Sequence, residues 1–178
     1  MSQEKKTSKR FCYKRADVPK ECGANLEQLL RLAIMNKEFA KDRKLDVSDE
    51  KMGETFHLLG DYSVNKPDFE GMLCAYSPGR HQPVFLLTDN AKTIPLESVA
   101  PPSVTEGGKK LYKEFLDGCL YFLVRTNHVI LAQSASLRVA DAECYINWFL
   151  RDCAKVVQPP HIIYFQDQLP PSKEAKIE

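Results

Sequence analysis

Apolar positions along the chain recur with two periods, one helical and one strand-like, and the switches between them outline the elements. Leu26, Leu29, Leu30, Ala33 and Ile34 share one helical face, and Asn25 with Gln28 completes a capping-box pattern ahead of them. A helix is therefore expected from Leu26 to about Phe39. Ala142, Tyr145, Ile146, Phe149, Leu150 and Cys153 mark a second amphipathic helix, with Asp141 and Glu143 near its start and Arg151 and Lys155 near its end, each favourable to the helix dipole. Phe56, Leu58, Tyr62 and Val64 alternate with polar residues as a strand does, and Asn65-Lys66-Pro67-Asp68 supplies a turn into a second strand, Phe69–Tyr76.

Other strands are expected at Arg10–Arg15, Val84–Leu87, Cys119–Thr126, Val129–Ser134 and His161–Phe165. The run Val84-Phe85-Leu86-Leu87 is continuously apolar, the pattern of a strand covered on both faces. Asn127-His128 reads as the two-residue turn of a tight hairpin. Residues 41–53 read as a charged connection, and residues 89–108, broken by Pro95, Pro101, Pro102, Gly107 and Gly108, as an internal connector. A short helix is expected at Lys109–Leu116, with Gly118 as its C-cap signal and Ser136 as the candidate cap of the later helix. The short turns imply an α+β fold: an antiparallel sheet of about five to seven strands with two main helices packed on one face. Residues 10–168 are expected to form a single domain, between a disordered basic arm (1–9) and a polar tail (169–178).

Composition changes this picture little. The 178 residues are 43% hydrophobic and 28% charged, values that exclude a mostly disordered or fibrous chain. A net charge of +1 excludes a uniformly basic surface, so any nucleic-acid contact must be local. The first twenty residues supply such a locality: Lys5, Lys6, Lys9, Arg10, Lys14, Arg15 and Lys20 stand against Glu4 and Asp17, with Phe11 and Tyr13 among them. Cations suit phosphate contact and the aromatics suit stacking on exposed bases. The N-terminus carries no apolar signal segment and no apolar run reaches membrane-helix length, so a cytoplasmic protein without membrane contact is expected.

Cys12, Cys22, Cys74, Cys119, Cys144 and Cys153 are too sparse for a stapled secreted scaffold and read as small core hydrophobes. The closest pairs, Cys144/Cys153 and Cys12/Cys22, lie 9 and 10 apart, and His57, His81, His128 and His161 are scattered. No metal site and no cofactor are expected from such spacing. Nucleophile-elbow, Walker, zincin and dinucleotide motifs are all missing. Glu106-Gly107-Gly108-Lys109-Lys110 resembles an anion-binding loop at a helix start, or a plain turn into a solvated helix. Tyr145 and Trp148 on the later helix are candidates for a dimer or partner interface, Trp148 also for the edge of the core.

The basic aromatic first strand, the Leu-rich helix at Asn25–Met35, the hairpin Tyr121–Ser134 and the helix through Tyr145-Ile-Asn-Trp-Phe-Leu150 occur in one order. In that order and texture the chain resembles the N-terminal portion of phage-exclusion and antiphage defence proteins of the RexA/KwaB type. The resemblance implies a bacterial or phage cytoplasmic protein that binds DNA or a partner protein, acts as a dimer and has no catalytic centre of its own. The expectation is thus a non-enzymatic binding module, with Lys5, Lys6, Lys9, Arg10, Lys14 and Arg15 touching nucleic acid. The alternative is a small hydrolase or nuclease assembled from scattered His, Cys and carboxylates.

Overall fold

A computed structural model describes residues 11–50, 53–64, 66–85, 96–106 and 109–167. The expected α+β fold is what forms. The sheet has seven antiparallel strands in the order β11-β1-β10-β9-β4-β3-β2: β1 is Phe11–Asp17, β2 Lys44–Asp46, β3 Phe56–Ser63, β4 Phe69–Tyr76, β9 Leu116–Arg125, β10 His128–Ala132 and β11 Tyr164–Gln166. Two helices, α1 (Leu26–Asn36) and α2 (Val139–Trp148), pack on one face, and α2 continues as a single π-turn, Phe149–Cys153.

The periodicities named the core correctly. Leu26, Leu29, Leu30, Ala33 and Ile34 of α1 and Ala142, Tyr145, Ile146, Phe149 and Leu150 of α2 are buried against Phe69, Leu73, Leu120, Phe122, Val124, Val129 and Leu131 of the sheet. The capping box is made in both directions: the Gln28 N–H donates to the Asn25 side chain at 3.0 Å, and the Asn25 N–H donates to Gln28 at 3.0 Å. Gly71 lies opposite Phe122, whose ring occupies the space of a side chain there; a Cβ on Gly71 would fall 2.4 Å from Phe122 Cζ.

Several local expectations are corrected. The segment read as a short helix at Lys109–Leu116 is instead strand β8, Lys109–Tyr112, paired antiparallel with β7, Ser103–Glu106; the pairing Glu106↔Lys109 leaves Gly-Gly between them, a stronger hairpin signal than the three apolar residues were a helix signal. Gly118 accordingly lies inside β9, not at a helix end, and β7, together with a strand β6 at Leu96–Val99, occupies part of the expected connector. Of the continuously apolar run, Leu86 and Leu87 lie outside the described residues; Val84 and Phe85 belong to β5, Gln82–Phe85, which pairs with β6, Leu96–Val99, outside the main sheet, and Val84 is 37% exposed, so it is not covered on both faces. The tight turn is Thr126-Asn127, because His128 belongs to β10 and pairs with Arg125. Ser136 does not cap α2; the Arg138 N–H is met by the Asp141 carboxylate at 2.7 Å, and Ser134 Oγ accepts from the Leu137 N–H. Lys44–Asp46, read as charged connection, adds the edge strand β2.

Candidate binding face

Helices cover only one face of the sheet, and strand alternation dictates what the other face carries. Residues directly opposed in an antiparallel ladder point the same way. The registers therefore line up Phe11, Ala132, Tyr121 and Met72 as one row across β1, β10, β9 and β4, and Tyr13, Ile130, Leu123 and Glu70 as the next. Arg15, His128 and Arg125 form a third row. Phe11 is 68%, Tyr121 47% and Ile130 44% exposed, although all three are large and apolar or aromatic. Between them opens a cavity of about 650 Å³, whose wall also includes Asp61, Ser63 and Lys66.

Polar contacts hold the rim of this face in place. Tyr13 and His128 share a 2.6 Å hydrogen bond between the phenol and Nδ1, with their rings stacked 5.9 Å apart. Arg125 grips Asp68 with two bonds, 2.6 and 2.8 Å, and this guanidinium holds the Asp68 carboxyl below the usual carboxylate range. Lys66 pairs with Glu70 at 2.7 Å. Tyr121 stands two residues along β9 from Cys119 on the same sheet face, and the neighbouring Cys119 pushes the phenol's pKa up. The rim thus offers aromatic planes among balanced charges.

The residues expected to touch nucleic acid separate here. Arg15 stands on the open face, opposite His128. Lys14, one residue earlier, points to the helix-covered side and is ion-paired with Asp167 at 2.6 Å. Lys5, Lys6, Lys9 and Arg10 lie outside the described residues; in the chain they run directly into Phe11, which lines the cavity. Gly107 and Gly108 of the candidate anion loop also lie outside the described residues, and the helix whose N-terminus would have faced an anion is a strand.

Of the two residues expected to form an interface on α2, Tyr145 is buried while Trp148 keeps part of its surface exposed. Tyr145 is 1% exposed, its hydroxyl accepting from the Leu59 N–H at 3.1 Å and donating to the Arg43 carbonyl at 2.5 Å, so it presents nothing to a partner. Burial pushes its phenol pKa well up. Trp148 is half-buried against the same core, its ring 5.5 Å from that of Tyr145. Arg43 itself is buried, its guanidinium satisfied by the carbonyls of Leu59, Lys37 and Glu38 and lying 4.8 Å from the Tyr62 ring centre.

Of the histidines weighed for a hydrolytic site, His57, His81 and His161 do not line the cavity of the open face, whereas His128 stands in its third row. His57 is half-buried, which lowers its pKa against the opposing pull of Asp141, and His161 bonds the Gln158 carbonyl at 3.0 Å. Among the described residues no group of three or more His, Cys, Asp or Glu is disposed to hold a metal ion, and no helix is long and apolar enough to cross a membrane.

Sequence reasoning singled out Phe11 and Tyr13 but missed Tyr121, Leu123, Ile130 and Met72. A signal for them existed: Leu120–Val124 is apolar on both strand faces, while two helices suffice to cover only one. No family model, no curated protein and no solved structure matches this chain.

Proposed function

We propose that this protein is a non-enzymatic binding module whose open sheet face takes single-stranded nucleic acid. The observation that carries the reading is the row Phe11–Ala132–Tyr121–Met72, an uncovered aromatic and apolar strip on rigid strands. Bases stacked on Phe11 and Tyr121 would bury that strip, while their phosphates meet Arg15 and the cations that precede Phe11 in the chain. A duplex, whose bases are already stacked on one another, has no flat face to offer the strip. The near-neutral overall charge is consistent with this division, in which aromatics supply contact area and a short basic segment supplies the electrostatic part. A setting in phage defence is supported by the order of elements alone.

Fluorescence anisotropy with a labelled single strand and its duplex, at about 50 and 200 mM salt, tests the proposal. The single strand is expected to bind more tightly and to weaken as salt rises. Phe11→Ala and Tyr121→Ala should each cost about 1–3 kcal/mol at either salt concentration. Neutralising Lys5, Lys6, Lys9 and Arg10 together should instead flatten the salt dependence. Absence of binding at low salt, or binding indifferent to Phe11→Ala and Tyr121→Ala, overturns the reading.

A further inference from the structure

Cys74 on β4 and Cys119 on β9 are directly opposed in the sheet register, and both are free thiols. Opposed residues in antiparallel strands have Cα atoms about 4.5 or 5.5 Å apart, according to the kind of pair. Both separations fall within the roughly 4.4–6.8 Å that a disulfide spans. Among the described strand pairs no other cysteine faces a cysteine. The backbone also makes room for sulfur here: the register shifts at Gly60, where an added Cβ would stand 3.1 Å from Cys74 Sγ. The two thiols are unequal, Cys119 being half-buried and Cys74 only 5% exposed. Burial and the neighbouring Cys119 both raise the Cys74 thiol pKa.

We propose that Cys74 and Cys119 form a reversible redox dithiol, closed by low-molecular-weight disulfides such as oxidised glutathione, that controls the open face through Tyr121. The more accessible Cys119 thiolate attacks one sulfur of the glutathione disulfide; that S–S bond breaks and one glutathione leaves as thiolate. Cys74, deprotonated in turn, attacks Cys119 Sγ in the mixed disulfide and expels the second glutathione. The protein loses two hydrogens and two electrons, which appear in two molecules of reduced glutathione. Closure ties Cys119 to Cys74 directly beside Tyr121, which stands two residues along β9 on the same sheet face and in the cavity wall. A stacking surface that includes Tyr121 changes when its neighbour on that face is drawn to β4. This control rests on the face being the nucleic-acid site; formation of the disulfide does not.

The test treats the full chain with oxidised glutathione, caps remaining thiols and maps the peptides by mass spectrometry without reduction. A Cys74–Cys119 linked peptide is expected, reversed by dithiothreitol, lost in Cys74→Ala and in Cys119→Ala, and kept in Cys144→Ala. Circular dichroism of each variant confirms that the fold is retained. Anisotropy with a single strand should then show the oxidised wild type binding at least about threefold more weakly than the reduced, with no such change in Cys119→Ala. A folded protein in which only other cysteines react, or none, overturns the dithiol. Equal affinity in both redox states overturns the control. A linked peptide in a protein that binds no oligonucleotide in either state leaves the dithiol standing, while the nucleic-acid reading and the control built on it both fail.

Discussion

At the residue scale, the most consequential side chain is one whose polar end is hidden. Tyr145 belongs to the apolar stripe of α2, yet its hydroxyl reaches the backbone of β3 and of Arg43, joining helix, sheet and the segment before β2 in one place. Those are buried groups, and a donor left unpartnered away from water costs its full desolvation. Tyr145→Phe keeps the ring, and with it the stacked contact to Phe149 at 6.0 Å, but strands the Leu59 N–H. It should lower the free energy of unfolding by about 1–3 kcal/mol. Urea unfolding measures this as a shift in midpoint with an unchanged slope, since the surface exposed on unfolding is the same. A loss within error of zero would show that the hydroxyl is not the clasp described. The contrast with Tyr121 is instructive: the same residue type on the other face of the sheet is 47% exposed.

Elements in this fold are fixed by their ends as much as by their stripes. The β9–β10 turn is tied to the start of α1: the Asn127 side chain accepts from the Leu26 N–H at 2.8 Å, Glu27 accepts from the Thr126 N–H at 2.8 Å, and the Glu27 N–H donates to the Thr126 carbonyl at 3.0 Å. Thr126 sits at φ 54°, a left-handed position that a β-branched residue seldom takes, held by these bonds from α1. Asn127→Ala removes the cap of Leu26 and should cost about 0.5–2 kcal/mol, read by thermal or urea unfolding, with hydrogen exchange quickened first at the α1 N-terminus. Uniform exchange along α1 in that variant would argue that the turn does not anchor the helix. None of this lay in the sequence, where Asn127 read simply as a residue tolerant of a tight turn. What was legible is what repeats: both helical stripes, the capping box at Asn25 and Gln28, and the strands at Phe69–Tyr76 and Cys119–Thr126. The misread segments were short or lacked a period. Three apolar residues in Lys109–Leu116 satisfy a helix or a strand, and pairing with Ser103–Glu106 decided between them. The binding face was half legible. Phe11 and Tyr13 announced themselves beside cations, whereas Tyr121, Ile130 and Met72 looked like core until the helices were seen to leave one face uncovered.

Over the whole molecule, the parts proposed to bind and the parts that fold cooperatively are the same strands. The two small hairpins stand apart from them. β5 with β6, and β7 with β8, form sheets of their own between β4 and β9, which are direct neighbours in the main sheet. Where the chain leaves β4 and re-enters β9 it is already drawn together: the Gly79 N–H donates to the Glu114 carboxylate at 2.8 Å, Arg80 pairs with Asp117 at 2.8 Å, and Ser77 Oγ donates to Asp117 at 2.8 Å. A short bridge from Arg80 to Glu114 can therefore replace residues 81–113 without moving either strand, and a shorter loop costs less closure entropy on folding. The excised protein should unfold in one cooperative transition, with a midpoint equal to or above that of the full chain. It should also keep its single-strand affinity within about twofold, because no residue of the Phe11–Tyr121 face or the basic segment is removed. A protein that folds normally after excision yet loses oligonucleotide binding would transfer the recognition surface to the hairpins. Loss of cooperative folding would instead make them part of the core that the seven strands and two helices otherwise complete by themselves.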